Sequence, residues 1–263
     1  MFLSSLTELT ISQGYKRFFK VVPALSDELR AENFRIRHEV YCRELNFESV
    51  QSNSLEIDTY DSRSLHCLVQ SVASGLHVGC ARLVLVDPAN PQQSLLPVEV
   101  SCAQTLDRSI IDPLKIDRSR IAEISRLAVV GSYRRRKTDH GPLSISEEDF
   151  GTEKQPRQPY LALAVYLCLI AMARHYGITT LFILTERRLA ANLSRLGVNV
   201  KQIGGPVEHR GERIPSMLLV DEIVGGMNFL VRALFEVVSR EVRDGLLAAG
   251  QDAVRAGHRP FAG

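Results

Sequence analysis

The chain reads as a mixed α/β (α+β) protein built on one central sheet, and three features of the sequence predict it. Its first half carries short apolar runs of strand length. Its second half alternates strand-like runs such as Thr180–Thr185 with helix-like runs such as 159–175. Ionic residues stand inside or beside the early strand-like runs, namely Arg37, the Glu56/Asp58/Asp61 set, Arg82, and Glu123 with Arg126. Strands first and a strand–helix–strand–helix half afterwards place the chain among sheet-and-helix folds. A charge in an apolar strand is costly unless paired or used, so these blocks predict a polar site assembled on one sheet.

The elements follow from local pattern. Phe18–Val22 reads as a strand, and Ser26 with Glu28 opens a helix that continues through Leu29, Phe34, Ile36 and Val40 to about Cys42. Residues 46–64 are polar and irregular. Leu65–Ala73 and His77–Val86 read as strands joined by a turn at Ser74-Gly75. Asp87-Pro88, Asn90-Pro91 and Leu96-Pro97 mark a loop region, and Ile121–Val130 is the next strand. The stretch 131–159, rich in Gly, Pro, Ser and charge, reads as an excursion. A helix over about 159–175 stops at Gly177; then come a strand Thr180–Thr185, a helix Arg187–Leu196, strands Val198–Ile203 and Ser216–Val220, and a C-terminal helix from about Asn228. The domain expectation is one unit over 1–225, with an insertion at about 138–158, and a C-terminal helical extension over 226–263.

Bulk properties narrow the function. With 263 residues, 45% hydrophobic and 24% charged residues, the chain has an ordinary globular composition. A net charge of +2 excludes a protein-wide nucleic-acid footprint, and the basic cluster Arg134-Arg135-Arg136-Lys137 lacks interleaved aromatics beyond Tyr133. The five cysteines are widely spaced without a CxxC pair, a pattern of neither disulfides nor zinc, which fits a reducing cytoplasm. The N-terminus lacks the basic and apolar regions of a signal peptide. The longest apolar run, Tyr160 to Ala173, spans only ~21 Å as a helix against the ~30 Å of a bilayer core, so no transmembrane segment is expected.

The strand ending at Val129-Val130 runs into Gly131-Ser132-Tyr133-Arg134-Arg135-Arg136-Lys137 and then, after the insertion, into a long helix. Strand, glycine-containing basic loop and helix is an arrangement that cradles phosphate. The four cations equally suit an acidic protein surface or plain solvation. LAVVGSYRRRK resembles the pyrophosphate loop of GNAT-type acyltransferases. R-x-x-V-Y at Arg37–Tyr41, E-x-D-x-Y-D at Glu56–Asp61, G-C-A-R-L at Gly79–Leu83 and E-I-S-R at Glu123–Arg126 resemble, in order and approximate spacing, the autoinducer (acyl-homoserine-lactone) synthase branch of that fold. The likeness is nearest to the N-acyl amino acid synthase-like acyltransferases associated with bacterial exosortase/PEP-CTERM export systems, in which R-H-E-V-Y-C is a typical opening. It covers roughly Phe18 to Asp221. The chain departs from autoinducer synthases in having no tryptophan, with Leu45-Asn46-Phe47 after the first helix instead, and in the longer insertion and C-terminal helix.

The resemblance implies a GNAT-like mixed sheet flanked by helices, with an extra C-terminal helix. It implies an N-acyltransferase that moves a fatty acyl group from acyl-carrier protein or acyl-CoA to the amino group of a small acceptor such as an amino acid. No permanently bound cofactor or metal is expected. Glu123 is the candidate base that takes a proton from the attacking amine; its alternative role is a structural ion pair with Arg126 or Arg82. Asp58, Asp61, Ser125, Arg37, Arg82 and Arg126 form the expected substrate site. The three arginines either bind a substrate carboxylate or hold the acidic set together. Val129 and Arg134, Arg135, Arg136 and Lys137 are expected to meet the acyl donor. The acyl chain is expected in an apolar tunnel beside the 159–175 helix. An acetyl-CoA-dependent acetyltransferase and a non-catalytic ligand-binding module of an export or polysaccharide locus are the alternatives.

Overall fold

A computed structural model describes residues 12–87, 89–91, 94–133, 151–152, 155–156, 161–195 and 198–255. Arg134, Arg135, Arg136 and Lys137 lie outside the described residues, as does nearly all of the 138–158 insertion. Eight strands form one sheet in the order β1-β2-β3-β4-β7-β10-β8, with β9 also on β10. They are β1 Phe19–Pro23, β2 Ser64–Ser71, β3 His77–Leu85, β4 Ile121–Val129, β7 Thr180–Thr185, β8 Lys201–Gln202, β9 Val207–Glu208 and β10 Glu212–Leu219. A separate two-residue pair joins β5 Gly151–Thr152 to β6 Gln155–Pro156. Within the eight-stranded sheet only β4 and β7 run parallel, and the connection between them carries α5, Leu161–His175. This is the mixed sheet with flanking helices that the sequence predicts.

Residues 12–18 are helical (α1) and lead into β1. Ser26 caps α2, Asp27–Arg37, by accepting from the Leu29 N–H at 3.3 Å. The helix then widens into a π-helical segment, His38–Glu44, where the sequence reads as plain α-helix. Short helices α3 Pro97–Ser101 and α4 Arg108–Ile111 occupy the segment before β4. Helix α5 is apolar nearly all round and buried on both sides, as expected for a helix between the sheet and another helix. Gly177, at φ +71°, takes the left-handed turn that ends it. Helices α6 Arg187–Arg195, α7 Val220–Gly226 and α8 Phe229–Arg255 complete the chain.

The sheet separates two different environments. On one face, Ala122 and Ile124 of β4 join α5 and α8 in the main core, which includes Val165, Leu169, Val231, Leu234 and Val238. Helix α8 therefore packs into the main core. Its Gly245 lies so close to β1 that an added Cβ would sit 2.9 Å from Pro23, and Glu241 Oε2 accepts from Val21 N–H and Tyr15 O–H, each at 3.0 Å. On the other face two smaller apolar clusters flank a polar centre. One lies under α2, with Ile36, Leu68 and Cys80; the other contains Val84, Ile121, Phe182 and Met217.

Two strands differ from the sequence reading by more than two residues at a boundary. The expected strand Val198–Ile203 is reduced to Lys201–Gln202. The next strand begins at Glu212 instead of Ser216, because Pro215, which lowers strand propensity, sits where its carbonyl still accepts from the Ile203 N–H at 2.9 Å. All five cysteines are buried and free.

Candidate active site at the splayed strands

The parallel ladder between β4 and β7 starts at Ile121–Thr180 and stops at Ile124–Ile183. Beyond that point β7 keeps its pairing with β10 as far as Thr185–Ile214, while β4 keeps pairing with β3 up to Gly79–Val129. The two strands therefore part after four pairs. The cause is local: the β3–β4 register shifts between Cys80 and Arg82, and opposite it Arg126 takes φ +53°, a left-handed conformation rare for a side chain of this size. From Ser125 onward the edge of β4 that faces β7 is outside the β4–β7 ladder, which leaves room for an inserted group.

The polar centre lies on one face beside this split. Arg37, fully buried at the end of α2, pairs through Nε with Glu56 and grips both oxygens of Asp61 at 2.6 and 3.0 Å. Arg82 of β3, equally buried, grips both oxygens of Asp58 at 2.6 and 2.8 Å. It also reaches Asp61 at 2.7 Å and donates to Ser125 Oγ at 3.0 Å. Arg126 meets Glu56 and Asp58, each at 3.2 Å, and Glu48 at 3.5 Å. Bidentate, charge-assisted contacts of this kind are directional as well as strong. The guanidinium groups of Arg37 and Arg82 are thus engaged by carboxylates of their own chain. Burial opposes ionisation of Asp61, yet hydrogen bonds from Arg37 and the charges of Arg37 and Arg82 outweigh it and pull the carboxyl down to about 2. Asp58 is likewise lowered, with Arg82 overcoming burial.

His66 of β2 stands at the back of the cluster, 3.8 Å from Asp61 and edge-on to Phe34. Asp61 alone would favour the imidazolium, but burial, with Arg37 and Arg82, lowers it to about 4 and leaves the ring neutral.

Glu123 occupies a different position. Its side chain points to the same face as Ser125, from the last stretch of β4 still paired with β7, and only 3% of the residue is exposed. It makes no ion pair with Arg82 or Arg126 among the described residues. Its Oε2 instead accepts from the Val98 N–H of α3 at 2.7 Å. Burial pushes its carboxyl up to about 8; the Val98 N–H and Arg82 oppose this, and Glu99 adds to it. Glu99 is itself neutralised by Arg118 and closes the first turn of α3 by accepting from Leu96 N–H at 2.9 Å. A buried carboxyl with a raised proton affinity is a pattern typical of acid–base sites.

Val129 ends β4, packed in the main core, and the adjacent Gly131 N–H donates to Glu44 at 2.8 Å. On the opposite face from the carboxyls, an apolar seam of about 20 Å³ is bounded by Ile124, Tyr166, Leu167, Ile170, Leu218 and Met227. It lies beside α5, where the tunnel was expected, but is much narrower than an acyl chain.

Three contributors escaped the sequence reading. Glu48 and Arg210 pair with each other across 162 residues of chain, a separation that no local pattern signals. Tyr41 anchors the bulged strand by donating to the Leu127 carbonyl at 2.6 Å; its place in R-x-x-V-Y was the available clue. Among the described residues no group of three His, Cys, Asp or Glu is placed to hold a metal ion, and no helix is long and apolar enough to cross a membrane.

Comparison with known proteins agrees with this fold. Residues 36–141 match the family model described as an acetyltransferase (GNAT) domain. No curated protein matches the chain. Among solved structures, the CoA-dependent acyl-homoserine lactone synthase MesI is similar at 19% identity and a TM-score of 0.53, over 83% of this chain and 93% of that one. TofI, solved in a ternary complex with an inhibitor and MTA, is similar at 19% identity and a TM-score of 0.54, over 82% and 98%. FeeM, an N-acyl amino acid synthase from uncultured soil microbes, is similar at 14% identity and a TM-score of 0.54, over 80% and 94%. At these identities the likeness establishes the fold, which is GNAT-like; together with the domain match it supports an acyltransferase.

Proposed function

We propose that the protein is an N-acyltransferase that moves a fatty acyl group from acyl-carrier protein or acyl-CoA to the amino group of a small acceptor such as an amino acid. One observation carries this reading: the parting of β4 from β7 has a buried carboxyl, Glu123, on one side of the sheet and an apolar seam on the other. A thioester lying in the split would meet the amine on the polar face and put its chain into the seam. Both neighbours named as acyl-homoserine lactone or N-acyl amino acid synthases share this fold.

In this reading Glu123 accepts the proton of the attacking ammonium, directly or through water, and its raised proton affinity suits that task near neutral pH. Backbone N–H groups of β4 beyond Ile124 polarise the thioester oxygen. Arg37, Arg82, Asp58 and Asp61 fix the wall of the acceptor site, with Ser125 held by Arg82. The acyl chain enters the seam by displacing side chains, each buried methylene contributing ~0.8 kcal/mol. Val129 and the Arg134–Lys137 cluster meet the phosphate of the donor. The closer likeness to export-system acyltransferases rests on the R-H-E-V-Y-C opening at Arg37–Cys42.

The test is release of free thiol from long-chain acyl-carrier protein, long-chain acyl-CoA and acetyl-CoA in the presence of a pool of small amines. Consumption of a long-chain thioester, slowed when Arg134 to Lys137 are neutralised, is the expected result. Preference for acetyl-CoA would favour the short-chain alternative. No thioester consumption would favour a non-catalytic binding module.

A further inference from the structure

The carboxylates and guanidinium groups of the polar centre are matched, four of each: Glu48, Glu56, Asp58 and Asp61 against Arg37, Arg82, Arg126 and Arg210. They are not equally committed. Glu56 and Asp61 are buried beside buried arginines, whereas Glu48 retains 30% exposure and its partners Arg126 and Arg210 retain 18% and 24%. Glu48 follows Asn46, which is left-handed at φ 52°, in the irregular stretch after α2. Its Oε1 is shared by guanidinium groups from opposite sides of the split, Arg126 on β4 and Arg210 in the turn between β9 and β10.

Both guanidinium groups are held in place without Glu48. Arg126 lies 5.8 Å from the centre of the Tyr41 ring and Arg210 5.7 Å from that of Phe47, and the two rings stack on each other at 6.5 Å. Arg126 is also tied to Glu56 and Asp58. Arg213 and His209 add to the same corner. Burial and then the charges of Arg210, Arg126 and Arg213 lower His209, with Glu48 opposing. Arg213 is paired with Glu186 at 2.5 Å, so it is less available than Arg210.

We propose that Arg126 and Arg210 form a carboxylate-binding site for the acceptor that Glu48 fills in the free protein, so that Glu48 is an internal competitor the acceptor must displace. This rests on the acyl-transfer reading for the identity of the acceptor and extends it to a residue, Arg210, outside every motif in the sequence. Glu48 is a carboxylate on a short stem, and a ligand carboxylate displaces it with the same hydrogen-bond chemistry. Displacement leaves the Glu48 side chain free to move to solvent.

The site is tested by calorimetric titration of the full chain with the standard L-amino acids and with S-adenosylmethionine. The tightest binder is then compared with its carboxamide and its decarboxylated amine. Arg210→Gln is expected to weaken the acid about 10- to 100-fold, the size of a hydrogen bond to a charged group, and to leave the amide and amine unchanged. Arg210→Lys falls between, because a point charge lacks the fork. Glu48→Gln tightens the acid about two- to fivefold, by removing an exposed competing pair. Unfolding midpoints equal to wild type show that the variants fold. The proposal is overturned if no amino acid binds, if amide and acid bind alike, or if Arg210→Gln weakens both equally. Because binding needs no donor, this pattern persists even if no thioester is ever consumed, which separates failure of the site from failure of the acyl-transfer reading.

Discussion

Replacing Glu123 with glutamine keeps the side-chain shape and an acceptor for the Val98 N–H while removing the ability to ionise. A carboxyl moved from 4.5 to about 8 by burial favours its protonated form by roughly 5 kcal/mol, an upper figure because a buried carboxylate recruits water and neighbouring dipoles when it ionises. The folded protein binds this proton more tightly than the unfolded chain. Stability from this group is therefore fully present below about pH 4.5 and is lost as pH rises through about 8. Glu123→Gln should match wild type at pH 5 and be more stable at pH 9. For 263 residues, at ~2.1 cal/mol/K per residue, the gap at pH 9 corresponds to a Tm difference of about 9 °C. Thermal unfolding of both proteins from pH 5 to 9 measures it. The same variant should lose about 10²–10⁴ in kcat/KM. The wild-type rate should rise about tenfold per pH unit below 8 and then level off. A stability difference that stays flat across the range would refute the raised proton affinity and, with it, the case for Glu123 as the base.

Arg82→Leu removes the bidentate partner of Asp58 and one of the two arginines on Asp61 in a buried site and should cost about 3–5 kcal/mol, read from the urea midpoint. Leu167→Ala enlarges the apolar seam and should shift products toward longer acyl chains, seen by mass spectrometry, at a stability cost of about 2–5 kcal/mol. Glu241→Leu removes the acceptor shared by Tyr15 and Val21. It should cost about 2 kcal/mol, one net hydrogen bond at a time, and speed hydrogen exchange of the Val21 amide, since β1 is an edge of the sheet.

Much of the site could be read from residue order, because a strand displays its side chains with a period of two. Arg82, Glu123 and Ser125 are charged or polar within apolar strands, and the structure puts all three on one face. The Glu56–Asp61 set could be read as a motif, though not its geometry: the turn that aims Asp58 and Asp61 at different arginines depends on Asp58 N–H donating to Asp61 and Tyr60 N–H donating to Asp58. The parting of β4 and β7 was invisible, since it comes from a register shift and a left-handed Arg126 that no propensity scale anticipates. Helix α3, which supplies the Val98 N–H to Glu123, was hidden among prolines at 88, 91 and 97. Its first turn is closed by a Glu99–Leu96 contact and an ion pair to Arg118, both set by tertiary structure. The same holds for Glu48 with Arg210, and for β10, where Pro215 disguised the first half of the strand.

The most direct measurement is the mass of the product formed when wild type and Glu123→Gln are incubated, at pH 9, with long-chain acyl-carrier protein or acyl-CoA and a pool of α-amino acids. The account predicts an N-acyl amide from wild type and at least a hundredfold less from the variant, by the usual size of general-base catalysis. Equal amide yield from both proteins, or thioester left intact by the wild type, would contradict it.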